Sequence, residues 1–416
     1  MGGTMTGPQL ATSFFDRSLP AILRFCCAVV LGTASFAQAQ TLTVLHTFTG
    51  GGDGYEPFAG VTLDQQGRIY GTTYMGGSHG GGVVFRLVHT GGGWALSPIY
   101  SFGSQEDDGY APYSRVVFGP GGLLYGTTSY GGAYGYGTVF SLRPPASACK
   151  AVLCPWDETI LYSFTGGADG AVPQFGDLTF DQAGNIYGTT SGGGSSRAGA
   201  VFRLTRSGSG WTESVIWNFT NHSDGGGPYG GVVFDSAGNL YGATSFGGSG
   251  FSGTVYELSP TQSGWSETTL YSFTAQTGAG SGGLVMDAHG NLFGITGGLD
   301  GGISAAYELT PQNGSWSFTV LQNFGDEYIG AVAAPTLDSH GNLYGPLPTL
   351  GDDFTGEIFQ LTPSGSRWVY RPFYQFNGND ASLPLGAVTF DASGNMYGTG
   401  IGGGSDYDGT VWEITP

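Results

Sequence analysis

The 416-residue sequence predicts an all-β chain folded as a seven-bladed β-propeller, with four antiparallel strands per blade and an amino-terminal strand closing the last blade. Three observations predict it. Residues 181–190, Asp-Gln-Ala-Gly-Asn-Ile-Tyr-Gly-Thr-Thr, return in seven close copies, with aromatic anchors at Tyr70, Tyr125, Tyr187, Tyr241, Phe293, Tyr344 and Tyr397. The anchors stand 55, 62, 54, 52, 51 and 53 residues apart, a period that suits four short strands and their turns better than a helical repeat. Residues 41–48 read as a fourth strand lacking its first three, and the chain stops at Pro416 after a third strand. Pairing 41–48 with 409–415 would close the ring and hide a sheet edge.

Taken in order, residues 17–39 read as an export signal: Arg17 and Arg24 flank the start, 25–31 is apolar, and Ala37-Gln38-Ala39 offers small residues for cleavage. The apolar run is shorter than the roughly 20 residues of a spanning helix. The organisation expected is therefore a signal at 1–39 and one propeller at 40–416. Within a unit, 60–63 alternates as a strand, 64–67 turns and 69–73 returns. Asp64 would bond the backbone two residues on, and Gly67 would take the left-handed conformation of the turn. The recurring Asp64, Asp181, Asp235, Asp287, Asp338 and Asp391 are thus turn chemistry rather than catalytic groups. A Gly-rich loop leads to a third strand (83–87 in the first unit), and a Trp-led fourth strand follows. Trp94, Trp211, Trp265, Trp316 and Trp368 hold equivalent places, where packing on the adjacent blade is expected. The 62-residue spacing comes from an insertion at 143–157. It holds Cys149 and Cys154, which an oxidising compartment would join as a local disulfide.

Composition narrows the classes. The 80 glycines and 14 % aromatics fit tight turns between pleated strands. The formal charge is -19, and about -20 once 1–39 is set aside, which repels phosphate backbones; nucleic-acid binding needs Lys and Arg clusters that are missing. No later segment reads as a membrane span, and a monomer is expected.

The Asp-x-x-Gly-Asn-Leu-Tyr-Gly-Thr-Thr core, the following Gly-Gly, Gly-Thr-Val-Phe-x-Leu and Leu-Tyr-Ser-Phe resemble the GloVer tandem-repeat proteins, over essentially all of 41–416. That resemblance implies an exported repeat domain and assigns no reaction. The Gly pair and the later Trp are also similar to the kelch layout, which implies four-stranded blades.

Candidate sites fall in three groups. The loops entering each first strand carry Asp53, Asp107 with Asp108, Asp169, Asp224 and Asp380, a rim of carboxylates that would suit Ca²⁺, although turn formation also explains them. Where other units place Gly60, Gly231, Gly283, Ala334 and Ala387, the second and third place Arg115 and Asp177. Strand alternation puts both near the central channel, as ligand groups or as an ion pair bridging blades. Loop aromatics Tyr55, Tyr110, Tyr130, Tyr134, Phe246 and Tyr407 share the rim and would stack on sugar rings. No Ser-His-Asp pattern, Cys-His pair or phosphate loop emerges. The leading expectation is an exported, non-catalytic binding module with a carbohydrate or a cell-surface protein as partner and no assured cofactor. The alternatives are a polysaccharide hydrolase or lyase at the channel mouth and a structural envelope or matrix protein.

Overall fold

The computed structural model describes residues 40–145, 155–280, 282–297, 303–325 and 333–416. The expected signal at 1–39 and both Cys149 and Cys154 lie outside them. The described chain forms seven antiparallel sheets with their strands in simple order, the blades of a propeller. Blade 1 comprises Thr62–Leu63, Ile69–Thr73, Val83–Thr90 and Gly93–Ser101. Blade 2 comprises Val117–Phe118, Leu124–Thr128, Thr138–Arg143 and Asp157–Ser163. Blades 3 to 6 repeat the plan, with Ala279–Gly280 added to the sheet of blade 5. In blade 7, Thr389–Phe390, Met396–Gly400 and Thr410–Thr415 are completed by Thr41–Thr47, in the register Thr41 opposite Thr415 to Thr47 opposite Thr410. The expected closure is present. The insertion is shorter than its predicted 143–157, because Arg143 ends a strand and Asp157 begins the next.

The hairpin between first and second strands is stapled by its Asp in every blade but the second. Asp181 Oδ1 accepts from the amides of Ala183 and Asn185, and Oδ2 accepts from Asn185 Nδ2 and the Tyr187 hydroxyl. Burial opposes ionisation of Asp181, but these bonds outweigh it and hold the carboxyl below its usual range. The anchor tyrosine is therefore both a core residue and a donor to its own turn. In blade 2, where Gly119 replaces the Asp, the Tyr125 hydroxyl donates to the Pro120 carbonyl instead.

The glycine after each anchor has a different cause. Gly71 is absent from the left-handed region, yet a Cβ there would fall on the Phe85 ring. The same holds for Gly126 under Phe140, Gly188 under Phe202, Gly242 under Tyr256, Gly294 under Tyr307, Gly345 under Phe359 and Gly398 under Trp412, all within 2.7 Å. The third-strand ring lies flat across the second-strand glycine and meets the last aromatic of the preceding blade. Centroids are 5.4 Å apart for Phe48–Phe85, 5.1 Å for Phe102–Phe140 and Phe164–Phe202, and 5.0 Å for Phe219–Tyr256. The ring closes with Phe273–Tyr307 at 5.3 Å, Phe324–Phe359 at 5.1 Å and Phe376–Trp412 at 5.4 Å. Such pairs contribute about 0.5–1.5 kcal/mol each beyond the area they bury. The predicted tryptophan packing on adjacent blades is also seen, with Trp316 against Tyr241 and Trp368 against Phe293. Trp156, which the sequence reading assigned to the insertion, does the same against Tyr70.

Every fourth strand is bulged opposite its third, as between Val84 and Phe85 or Val201 and Phe202. The extra residue, Ile99 or Ile216, adds twist and sets the alternation of the motif that follows: Tyr100 faces the loop ahead while Phe102 enters the core. Past the strand an Asp caps the turn. Asp108 accepts from the amides of Gly103 and Ser104 and from the Tyr100 hydroxyl, and Asp169 from Thr165 and Tyr162. Glu158 lies beside Asp108 and Glu213 beside Asp169, each one blade on. Burial first, and then the neighbouring Asp, pushes Glu158 up to about 8 and Glu213 up to about 7. One oxygen each of Glu158 and Glu213 is buried without a partner, in keeping with the proton that burial favours on these two acids.

Two outcomes follow from these junctions. Gly188→Ala should lower stability by about 1–3 kcal/mol through overpacking, read as a lower urea midpoint, whereas Gly91→Ala, where a Cβ meets nothing, should leave the midpoint within error. An acid whose folded pKa is raised stabilises the fold below its unfolded value of 4.5 and loses that contribution as pH rises to the folded value. Melting temperature should therefore fall between about pH 5 and 8, and Glu158→Gln should flatten that slope; an unchanged slope would exclude the proton on Glu158.

Candidate functional site at the channel mouth

Strands alternate in direction, so the loops joining second to third strands and those joining each fourth strand to the next first strand emerge at one end. They pair there: Tyr55 with Met75, Gly109–Tyr110 with Tyr130–Gly131, Ala171 with Gly192, Gly226 with Phe246, and Ser382 with Gly402. The predicted common rim exists. The five acidic positions on it are turn caps on separate blades. Asp53 accepts from Thr49 and His46, Asp169 from Thr165 and Tyr162, Asp224 from Thr220 and Trp217, and Asp380 from Asn377 and Tyr374. In the second unit the cap is Asp108; Asp107 sits beside it with φ 64° and takes no part in that cap. Among the described residues, no three His, Cys, Asp or Glu side chains converge as a metal-ligand set.

From the rim the chain turns inward through a strained step. Glu56, Ala111, Val172, Gly227 and Leu383 have φ between 52° and 61°, a conformation that costs a non-glycine residue about 1–3 kcal/mol. Each donates its amide to the preceding blade, to the carbonyls of Asp408, Gly81, Tyr136, Ala198 and Thr355 respectively. Each is followed by a proline, whose ring covers a left-handed glycine of that same blade, as Pro112 covers Gly82. The turn delivers Phe58, Tyr113, Phe175 and Leu385 to the channel and Tyr229 beside Phe175 at its edge. Blade 3 has one residue more between its proline and Asp177, and Phe175 absorbs it with φ 60°.

Four of these are aromatic and occupy consecutive blades. Phe58 and Tyr113 are 4.9 Å apart between centroids, Tyr113 and Phe175 4.9 Å, and Phe175 and Tyr229 6.2 Å. Tyr74 packs against both Phe58 and Tyr113, at 5.5 and 4.5 Å, and Phe246 extends the arc beyond Tyr229 at 6.3 Å. Sequence reasoning missed the inner four, although the Pro-aromatic step before the first strands of blades 1, 2 and 4, and Pro173-Gln174-Phe175 before that of blade 3, carry the signal. Of the predicted rim aromatics, Phe246 joins this arc; Tyr110 and Tyr130 stack on each other at 5.5 Å; and Tyr55 is held by its hydroxyl on Met75 Sδ.

Beneath the arc lies a cavity of about 570 Å³ lined by the first strands of all seven blades, with Arg115 and Asp177 on its wall. The two line the channel, as strand alternation places them, and they form an ion pair that bridges blades. Arg115 Nε and Nη2 donate to Asp177 Oδ2, while Nη1 reaches Thr389 Oγ1 at 3.1 Å and the Val61 carbonyl at 3.5 Å. One side chain thus ties blade 2 to blades 3, 7 and 1. The side chains remain 24 % and 34 % exposed, so the Asp177 carboxylate lines the cavity while one of its oxygens is held by Arg115. At the positions equivalent to Arg115 and Asp177 the remaining blades present only Gly60, Gly231, Gly283, Ala334 and Ala387 to the wall, while the next residues, such as Leu178 and Val232, are buried in the cores between blades.

Comparisons with known proteins return folds rather than activities. No curated protein matches the chain. Among solved structures it resembles the extracellular domain of a putative hybrid two-component system from B. thetaiotaomicron, with TM-score 0.53 and 10 % identity over 89 % of this chain and 39 % of that one. It also resembles a fungal alcohol oxidase of the AA5 family solved with copper, with TM-score 0.53 and 15 % identity over 90 % of this chain and 76 % of that one. The chain therefore spans about two-fifths of the first and three-quarters of the second, and at such identities the likeness shows the propeller alone. Among the described residues no helix is long and apolar enough to cross a membrane. The sequence model of the Gloeobacter/Verrucomicrobia repeat matches residues 32–173 and 152–334, and on that match, with the repeats seen as blades, the chain belongs to the Gloeobacter/Verrucomicrobia repeat family.

Proposed function

We propose that the protein is an exported, non-catalytic binding module that takes a carbohydrate at the aromatic mouth of its channel. The observation that carries the reading is the arc from Phe58 to Tyr229 standing over the Arg115–Asp177 pair. Aromatic faces stack on the C–H faces of a sugar ring, and the Asp177 carboxylate accepts a hydroxyl hydrogen bond; few precise polar groups in an apolar recess are the usual make-up of a ligand site. The surplus of acidic residues disfavours polyanionic ligands, which leaves neutral, hydroxyl-rich ones. Export rests on the features of residues 17–39.

Binding is favoured over hydrolysis by the same geometry. Glycosidases mostly work with two carboxyl groups flanking the bond to be cleaved. The described channel lining offers one, Asp177, with an oxygen already committed to Arg115.

Glycan-array screening of the 40–416 chain should give hits among neutral glycans. In calorimetric titration of the best hit, Asp177→Asn and Tyr113→Ala should each weaken binding about tenfold, about 1.4 kcal/mol, with melting temperature checked in parallel. Undiminished affinity in both folded variants would remove the mouth as the site.

A further inference from the structure

We infer that the ligand is an extended glycan chain, held by one end in the channel mouth, whose further units run outward over blade 2 along Tyr130, Tyr110 and Tyr134. This rests on the reading of the mouth as a sugar site and adds the size and direction of what it holds.

The aromatic surface does not stop at the mouth. Tyr130 is paired with Tyr110, and from Tyr110 the chain turns inward at Ala111 to present Tyr113 three residues on. Tyr130 and Tyr110 are opposite each other on the short ladder that joins the two rim loops, with rings 5.5 Å apart and inclined by only 26°. Backbone pairing holds this stack before any ligand arrives, which reduces the ordering cost of binding. Tyr134 is more exposed again, at 61 %, and stands near Tyr162 at the junction with blade 3. Tyr136 covers bare Gly166 beside it.

Among the described residues blade 2 is the richest in exposed rim aromatics. Its rim loops expose four tyrosines, whereas among the described residues those of blades 1 and 3 expose no large hydrophobic side chain. The repeat scaffold does not require these rings, since its neighbours fold without them. Scattered exposed apolar residues need no explanation, but four exposed tyrosines gathered on the two rim loops of one blade, next to a recess, do. The cavity, at about 570 Å³, falls in the range that encloses one small ligand, so a longer chain must leave it across the rim. Exposed Glu106 and Asp107 flank the way out, which selects against polyuronates and for neutral chains.

The test titrates the 40–416 chain with cello-, chito-, xylo- and malto-oligosaccharides from monomer to hexamer. For the series that binds, affinity should rise with length; Tyr110→Ala and Tyr134→Ala should each lower it about five- to tenfold for the hexamer and leave the shortest ligand bound as before. Tyr113→Ala should weaken every length, and Phe251→Ala, on the rim of blade 4, none. Equal affinity for short and long members, or a hexamer indifferent to both outer tyrosines, overturns the track while sparing the mouth. No binding by any series overturns both, and binding of poly-lysine lost in Tyr110→Ala would assign the surface to a cationic polypeptide instead.

Discussion

The ring depends on one contact made seven times, an aromatic side chain of the third strand laid across a glycine of the second and touching the last aromatic of the preceding blade. Each half of that contact needs the other. Without the glycine the ring has no place to lie, and without the ring the glycine leaves a void. Because one ring belongs to each blade of a junction, the contact can be satisfied for Phe48 only if the blade it completes stands beside the blade holding Phe85. The amino-terminal strand is therefore drawn to the carboxy-terminal sheet by two demands at once: its backbone pairs with Thr410–Thr415, and its final ring fills the last junction.

A frame so repetitive leaves variation to the segments it does not constrain. The second strand shows where the constraint ends. Thr72, Thr189 and Thr399 each donate a hydroxyl to a carbonyl of the next blade, whereas Ala243, Ile295 and Pro346 stand at the same position in blades 4 to 6. The entry to the first strand varies further. Its left-handed residue and proline recur, which fixes the direction in which the chain turns, but the side chain delivered changes from Phe58 through Tyr229 to Leu385. Structural strain is thus kept at the five described turns while the chemistry they present is free to differ, which is the arrangement expected where a rigid scaffold positions variable loops.

This division also decides what the sequence makes legible. The blade count, strand order, ring closure and turn role of Asp181 follow from period, alternation and turn chemistry, all local properties of the chain. Arg115 and Asp177 were visible because they break a pattern that five other units keep. The aromatic arc was not, because Phe58 and Tyr113 look like ordinary strand entries until the turns gather them across four blades. The reason for Gly71 was hidden for the same cause, since its partner Phe85 is known only from the fold. Asp107 and Asp108 were indistinguishable by sequence, and hydrogen bonds to Gly103 and Ser104 separate them. Trp156 escaped notice because the insertion before it disrupts the spacing by which the other tryptophans are recognised.

The inner junctions show why the charged pair is better understood through the channel than through stability. At three of them a first-strand threonine donates to the neighbouring carbonyl: Thr62 to Val116, Thr336 to Val388 and Thr389 to Val61. Such a bond is worth about 0.5–1.5 kcal/mol. Between blades 2 and 3 that position is Val117, which has no hydroxyl, and the Arg115–Asp177 pair spans the gap. A partly exposed ion pair contributes about 0–1 kcal/mol, no more than the threonine it replaces. Stability alone therefore gives no ground for the exchange. What it does change is the chemistry of the wall, for a threonine spends its hydroxyl on the junction, while the ion pair closes the junction and leaves charged groups lining the cavity that Tyr113 and Phe175 also line.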